Sequence, residues 1–141
     1  MEELKLKAWN IEHKKMYSAY SLFFNENLAH CESKEGTTHT FGFIDLELLK
    51  PTGLKDENGV DIYEGDILRS IHFIHEGKAH YLHHVIQWSD KYHGWIALSA
   101  SSMNENDGSP QLFVYTRSTI DGVYEVVGNI HETPDLLNKA A

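Results

Sequence analysis

Six of the ten histidines in this 141-residue chain fall between His72 and His93, in the run "HFIHEGKAHYLHHVIQWSDKYH". Imidazoles at that density are raw material for a transition-metal site, provided three or four ligands converge. A hairpin turning on a Gly77-Lys78 loop would set His75 opposite His80 and His72 opposite His83, the two pairs on opposite sides of the ribbon. Asp90 or His93 would have to complete either set, and a one-residue slip of register destroys both pairs. We therefore read His72, His75, His80, His83, His84 and His93 as half-exposed structural residues, and whether they bind metal stays open at this point. Clustered imidazoles near their ordinary pKa of ~6.5 repel when charged, so thermal stability is expected to fall between neutral and mildly acidic pH.

The second chemical candidate is "PTGLKDENGVDIYEGDIL", residues 51–68, part of a region with seven acids and two lysines between Asp45 and Asp66. A calcium loop of the EF-hand kind needs glycine at its sixth position. Counted from Asp56, the glycine comes fourth and the sixth residue is Asp61, so the spacing fails. Asn58-Gly59 instead signals a type I′ hairpin turn, and Gly65 a second reversal, with Asp66 able to accept from nearby backbone N–H groups. On this reading the carboxylates of Asp56, Asp61, Glu64 and Asp66 solvate loops. No G-x-S-x-G elbow, phosphate-binding loop or dinucleotide fingerprint occurs. Cys31 is the single cysteine, which excludes an internal disulfide and a multi-cysteine zinc site, and it reads as an inert thiol. We assign no catalytic, cofactor-binding or metal-binding residue and expect a protein that is not an enzyme.

The elements that must position these residues read as mainly β. "LKLKAWN" alternates as a half-buried strand, and "YSLFFN" makes an N-terminal hairpin with it. Glu26–His39 is polar and weakly patterned, and residues 25–40 receive no element. "THTFGFIDLELL" is a strand whose later part is either extended or a helical turn. The histidine-rich hairpin follows, with Ile67, Ile71 and Phe73 on one face, then "GWIALSA", a flexible excursion over 101–110, and the strands "QLFVYTR" and "VYEVVGNI" around a "STIDG" turn. Thr133 as N-cap, Pro134 and Asp135 start a short C-terminal helix. A glycine-aspartate turn feeding an apolar strand and several short strands suits a small SH3-like barrel. We expect one compact domain, with residues 1–50 an N-terminal β segment packing on a barrel-like region of 51–141.

The stretch "PTGLKDENGVDIYEGDIL" and the tail "VYEVVGNIHETPDLL", with the opening "LKAWNIEHKKMY", resemble the YopX family of phage and prophage proteins. There the central pattern runs T-G-L-x-D-x-N-G-x-x-I-Y-E-G-D and the tail G-N-I-[YH]-E-x-P-[ED]-L, matched here at residues 4–17, 48–68 and 123–137. Lys50-Pro51 and Thr133 depart from it, and the histidine-rich middle has no counterpart in it. The resemblance implies a compact β-rich, self-associating accessory protein of unassigned role, with no catalytic residues to transfer.

A formal charge of −9 opposes non-specific nucleic-acid binding, although Lys5, Lys7, Lys14 and Lys15 cluster near the start. No apolar run reaches the ~20 residues of a membrane span, and "MEELKLKAWN" lacks a secretory h-region, which points to the bacterial cytoplasm. The expected function is a non-enzymatic homo-oligomeric interaction module with an unidentified phage or host protein as a further partner. Two alternatives stand beside it. One is a single-stranded nucleic-acid-binding barrel using Trp88, Tyr92, Trp95 and the N-terminal lysines, with Tyr81 nearby. The other is a metal-dependent enzyme built on the histidine-rich hairpin.

Overall fold

The structure, a computed structural model, describes residues 6–103 and 110–137. The chain divides into two compact units, Met1–Pro51 and Thr52–Ala141. Both are built from antiparallel strands, and no helix among the described residues is long and apolar enough to cross a membrane.

In the first unit the strands β1 (Leu6–Asn10), β2 (Lys15–Phe23), β3 (Leu28–Glu32), β4 (Thr38–Gly42) and β5 (Leu46–Leu49) form one sheet in the order β4-β3-β2-β1-β5. The N-terminal hairpin forms as expected, with Ala8 opposite Tyr17. Residues left without an element supply β3 and the start of β4. Their core contributions are Ala29 and Cys31, both fully buried, and such small side chains give no apolar pattern for sequence reading to find. Ala8, Tyr17, Ala19 and Leu46 complete this core, with Phe41 and Phe43 packed against it. Burial pushes the Cys31 thiol above its ordinary pKa, in keeping with an inert group. Phe43–Asp45 form a single 3-10 turn before β5.

The second unit begins with a separate two-stranded ribbon, β6 (Pro51–Lys55) and β7 (Asp61–Tyr63). Its larger sheet holds β8 (Asp66–His75), β9 (Lys78–Ser89), β10 (Gly94–Met103), β11 (Pro110–Thr116) and β12 (Glu125–Asn129), ordered β11-β10-β9-β8-β12. A four-residue helix, α1 (Arg117–Ile120), lies between β11 and β12 where a plain turn was expected. Its Ile120 is fully buried with Leu54, Ile62, Leu68, Ile86 and Ala97. A barrel requires its two end strands to pair. Here β11 and β12 are the ends of the order and the described strands form open sheets, so the expected SH3-like closure is not found. Of the excursion expected over 101–110, residues 101–103 and Pro110 belong to strands and 104–109 lies outside the described residues, as do Lys5 and the last four residues of the tail.

The central stretch turns where expected, by different chemistry. Of Asn58-Gly59 only Gly59 has positive φ, +80°, so the turn is not type I′. Gly59 N–H donates to Asp56 O and Asp56 N–H to Val60 O, a type I turn closed by a left-handed glycine. The Asp56 carboxylate fixes it: Oδ1 accepts from the N–H groups of Asn58 and Val60, both at 2.8 Å, and Oδ2 from Val126 on β12 at 3.1 Å. Asp66 Oδ2 accepts from Tyr63 N–H at 2.8 Å. Asp56 and Asp66 are therefore buried structural acceptors rather than solvated loop acids. Asp61, exposed and paired with Lys55, fits the solvation reading, and Glu64 is half-buried. Burial alone would raise the Asp56 pKa, but the N–H groups of Val126, Val60 and Asn58 outweigh it and hold the carboxyl below its usual value.

The tail is anchored in the same way. Asn129 Oδ1 accepts from His131 and Glu132 N–H, and Asn129 N–H donates to Thr133 Oγ1 at 3.0 Å. A Cβ on Gly128 would come within 1.9 Å of that Thr133 oxygen, so only glycine fits this approach. Thr133 thus bonds backward, and the short C-terminal helix forms over Pro134–Leu137 as a 3-10 helix.

Candidate functional site

The histidine-rich hairpin turns one residue earlier than expected. Glu76 (φ +50°) and Gly77 (φ +75°) are its two-residue loop, and the register pairs His75 with Lys78 and Phe73 with His80. An irregularity between Ile71 and Phe73 then sets Arg69 opposite His83 and Leu68 opposite His84. The pairs His75–His80 and His72–His83 are not formed. His80 instead stacks on Phe73, with centroids 4.3 Å apart and planes at 14°. Among the described residues no group of three histidine, cysteine or acidic side chains is placed to hold a metal ion.

The face expected to run from Ile67 through Ile71 and Phe73 also divides. Ile67 is fully buried, whereas Ile71, Phe73 and Ile74 are 60, 46 and 67% exposed on the outer part of the hairpin. The aromatic candidates divide similarly. Trp95 packs against the second core, and Trp88, directly opposite it, is half exposed and meets it edge to face at 5.5 Å. The Trp88 indole N–H donates to Asp90 Oδ1, and Tyr92 lies exposed beside Lys91. Of the N-terminal lysines, Lys15 pairs with Glu35 in the first unit, apart in sequence and unit from these aromatics.

The base of the hairpin builds something the sequence did not reveal. Arg69 on β8 lies directly opposite Glu125 on β12, and its guanidinium donates to Glu125 Oε2 at 2.9 Å. The same guanidinium covers the Tyr81 ring at 4.2 Å. Beside them opens a cleft of about 600 Å³, whose lining includes Glu57, Arg69, Ser70, Tyr115, Tyr124 and Glu125.

His84 is buried next to this lining. Its ring meets Tyr115 edge-on at 4.9 Å and Tyr124 at 5.5 Å, and its Nε2 lies 2.7 Å from Ser70 Oγ. Its Nδ1 is buried without a hydrogen-bond partner. Burial first, and nearby His83 second, push its pKa down to about 4, so the ring is neutral at physiological pH. Ser70–His84 has the spacing of a nucleophile and its base, but a base so weak is poorly matched to taking a serine proton near neutrality. Burial and the neighbouring Tyr115 raise the Tyr124 pKa, keeping that phenol neutral too.

Of the cleft residues, only Tyr81, noted as an aromatic near the second strand of the hairpin, and Ile71, noted as part of a strand face, were singled out from sequence. Arg69 and Glu125 are 56 positions apart, and only the pairing of β8 with β12 brings them together.

The fold and the cleft define an all-β protein of open antiparallel sheets whose glycine-punctuated centre is tied by side-chain acceptors. The model of the YopX protein family matches residues 5–138, and the chain belongs to that family. Among solved structures it is similar to protein EF1440 from Enterococcus faecalis, with 26% identity, a TM-score of 0.60, and coverage of 97% of this chain and 99% of that one. No curated protein matches it.

Proposed function

We propose that the chain is a non-enzymatic interaction module, a phage or prophage accessory protein that self-associates in the bacterial cytoplasm through the outer part of the β8–β9 hairpin. The observation that carries this reading is the exposure of Ile71 and Ile74, set opposite Tyr81 and Ala79 on one face of that hairpin, with Phe73 exposed on the other face. Large apolar side chains grouped at a surface favour burial against another chain, and a few such anchors supply most of an interface's energy. The backbone of an exposed ribbon also offers strand edges for pairing. A net charge of −9 makes a nucleic-acid phosphate backbone the less favoured partner. Light scattering on the purified chain tests the proposal. The wild type is expected to run as an oligomer and the double variant Ile71→Ser, Ile74→Ser as a monomer of unchanged circular dichroism. A wild type that is monomeric at all concentrations, and that captures no phage or host protein from lysogenic cells, removes the reading.

A further inference from the structure

We propose that the cleft between β12 and the base of the β8–β9 hairpin receives the guanidinium of an arginine on a partner protein. This rests on the interaction-module reading and gives that partner a chemistry: a segment with an exposed arginine.

Three features of the cleft support it. The first is charge. Glu57 and Glu125 face a single cation, Arg69, which Glu125 already engages. The remaining carboxylate belongs to Glu57, an exposed residue of the lining whose N–H is bonded to Tyr124 O. His84 contributes no competing positive charge near neutrality.

The second is shape and surface. Tyr115 and Tyr124 meet at 66° with centroids 5.9 Å apart, so they offer differently inclined aromatic walls. A flat, weakly hydrated guanidinium stacks on tyrosine better than a compact ammonium does. The cleft already holds one instance of this chemistry, the Arg69 guanidinium lying over Tyr81 and paired with Glu125.

The third is hydrogen bonding. Guanidinium is a donor only and needs acceptors. Ser70 Oγ keeps an acceptor lone pair beyond its bond with the His84 ring in either tautomer, and the Glu57 carboxylate supplies the others. A nucleotide fits less well, because the two carboxylates would face its phosphate.

The test is an NMR titration of the full chain with N-acetyl-arginine amide, with N-acetyl-lysine amide and guanosine as comparators. The arginine probe is expected to shift the signals of Ser70, Tyr115, Tyr124 and Glu125 saturably, with a dissociation constant on the order of 1 mM for so small a ligand. Lysine amide should bind more weakly. Glu57→Gln, an exposed change that leaves the core untouched, should weaken the arginine probe roughly fivefold, as the loss of one partly exposed ion pair would. Absence of saturable shifts, equal binding of the two amides, preference for guanosine, or indifference to Glu57→Gln each overturns the proposal. Light scattering on the same samples separates the two readings. A monomer that still binds the arginine probe discards self-association and keeps the cleft. An oligomer whose cleft ignores the probe does the reverse.

Discussion

The glycine-rich centre and the histidine-rich hairpin are adjacent in sequence and opposite in construction. In the centre, Thr52, Asp56 and Asp66 each spend side-chain oxygens on backbone groups, and Asp56 and Asp66 are buried. Along the outer hairpin, Ile71, Phe73 and Ile74 face outward and His80 is occupied with Phe73. The contrast teaches that the residues carrying the family pattern serve the fold. Those exposed apolar side chains lie in the stretch without that pattern, and the cleft opens at its base.

Breaking the centre should be costly. Asp56→Ala strands the N–H groups of Asn58, Val60 and Val126 at once, and an orphaned buried donor costs about 1–3 kcal/mol. We expect a loss of about 3 kcal/mol in urea unfolding, with partial relief by water at Asn58 and Val60, which are exposed. A loss below about 1 kcal/mol would mean that the carboxylate is not the tie described.

Acid should act next most strongly, and through the inner hairpin. His84 has a folded pKa of about 4 against an ordinary 6.5, so the unfolded chain takes up its proton first as pH falls. Its contribution is intact above pH 6.5 and is lost progressively down to pH 4, up to about 3 kcal/mol. Asp56, with its pKa lowered in the fold, adds a further loss once pH falls below its ordinary value of 3.8. The buried His84 ring, with repulsion from His83 as a second cause, is thus one source of the expected acid sensitivity. Melting curves of His84→Gln should be flatter across pH 6.5–4 than the wild type's, and equal slopes would refute this account.

Two glycines sharpen the comparison. Gly128→Ala must displace Thr133 and should cost about 2 kcal/mol by overpacking. Gly59→Ala meets nothing within 4 Å and should cost only about 1 kcal/mol, the strain of a left-handed alanine. Equal losses at the two sites would remove the steric argument for the tail. Smallest of all, Ile71→Ser with Ile74→Ser should change the stability of the isolated chain by less than about 0.5 kcal/mol, because both side chains are already in water.

Local chemistry in the sequence determined a good deal here. Alternation gave the strands from Leu6 onward, Gly59 and Gly65 marked the reversals, and Asp66 was seen as an acceptor for nearby N–H groups, because each depends on a few neighbouring residues. The strands around Ala29 and Cys31 escaped, since small core residues carry no period. Tertiary structure alone decided the rest. The hairpin's turn fell at Glu76-Gly77, and one position of register dissolved every expected histidine pair. Asp56 reached Val126, 70 positions away, and became a buried tie instead of a wetted acid. The cleft exists only because β8 pairs with β12 and sets Arg69 against Glu125. Turns and alternation are short-range properties of the chain, whereas burial and cross-strand partners are created when distant strands meet.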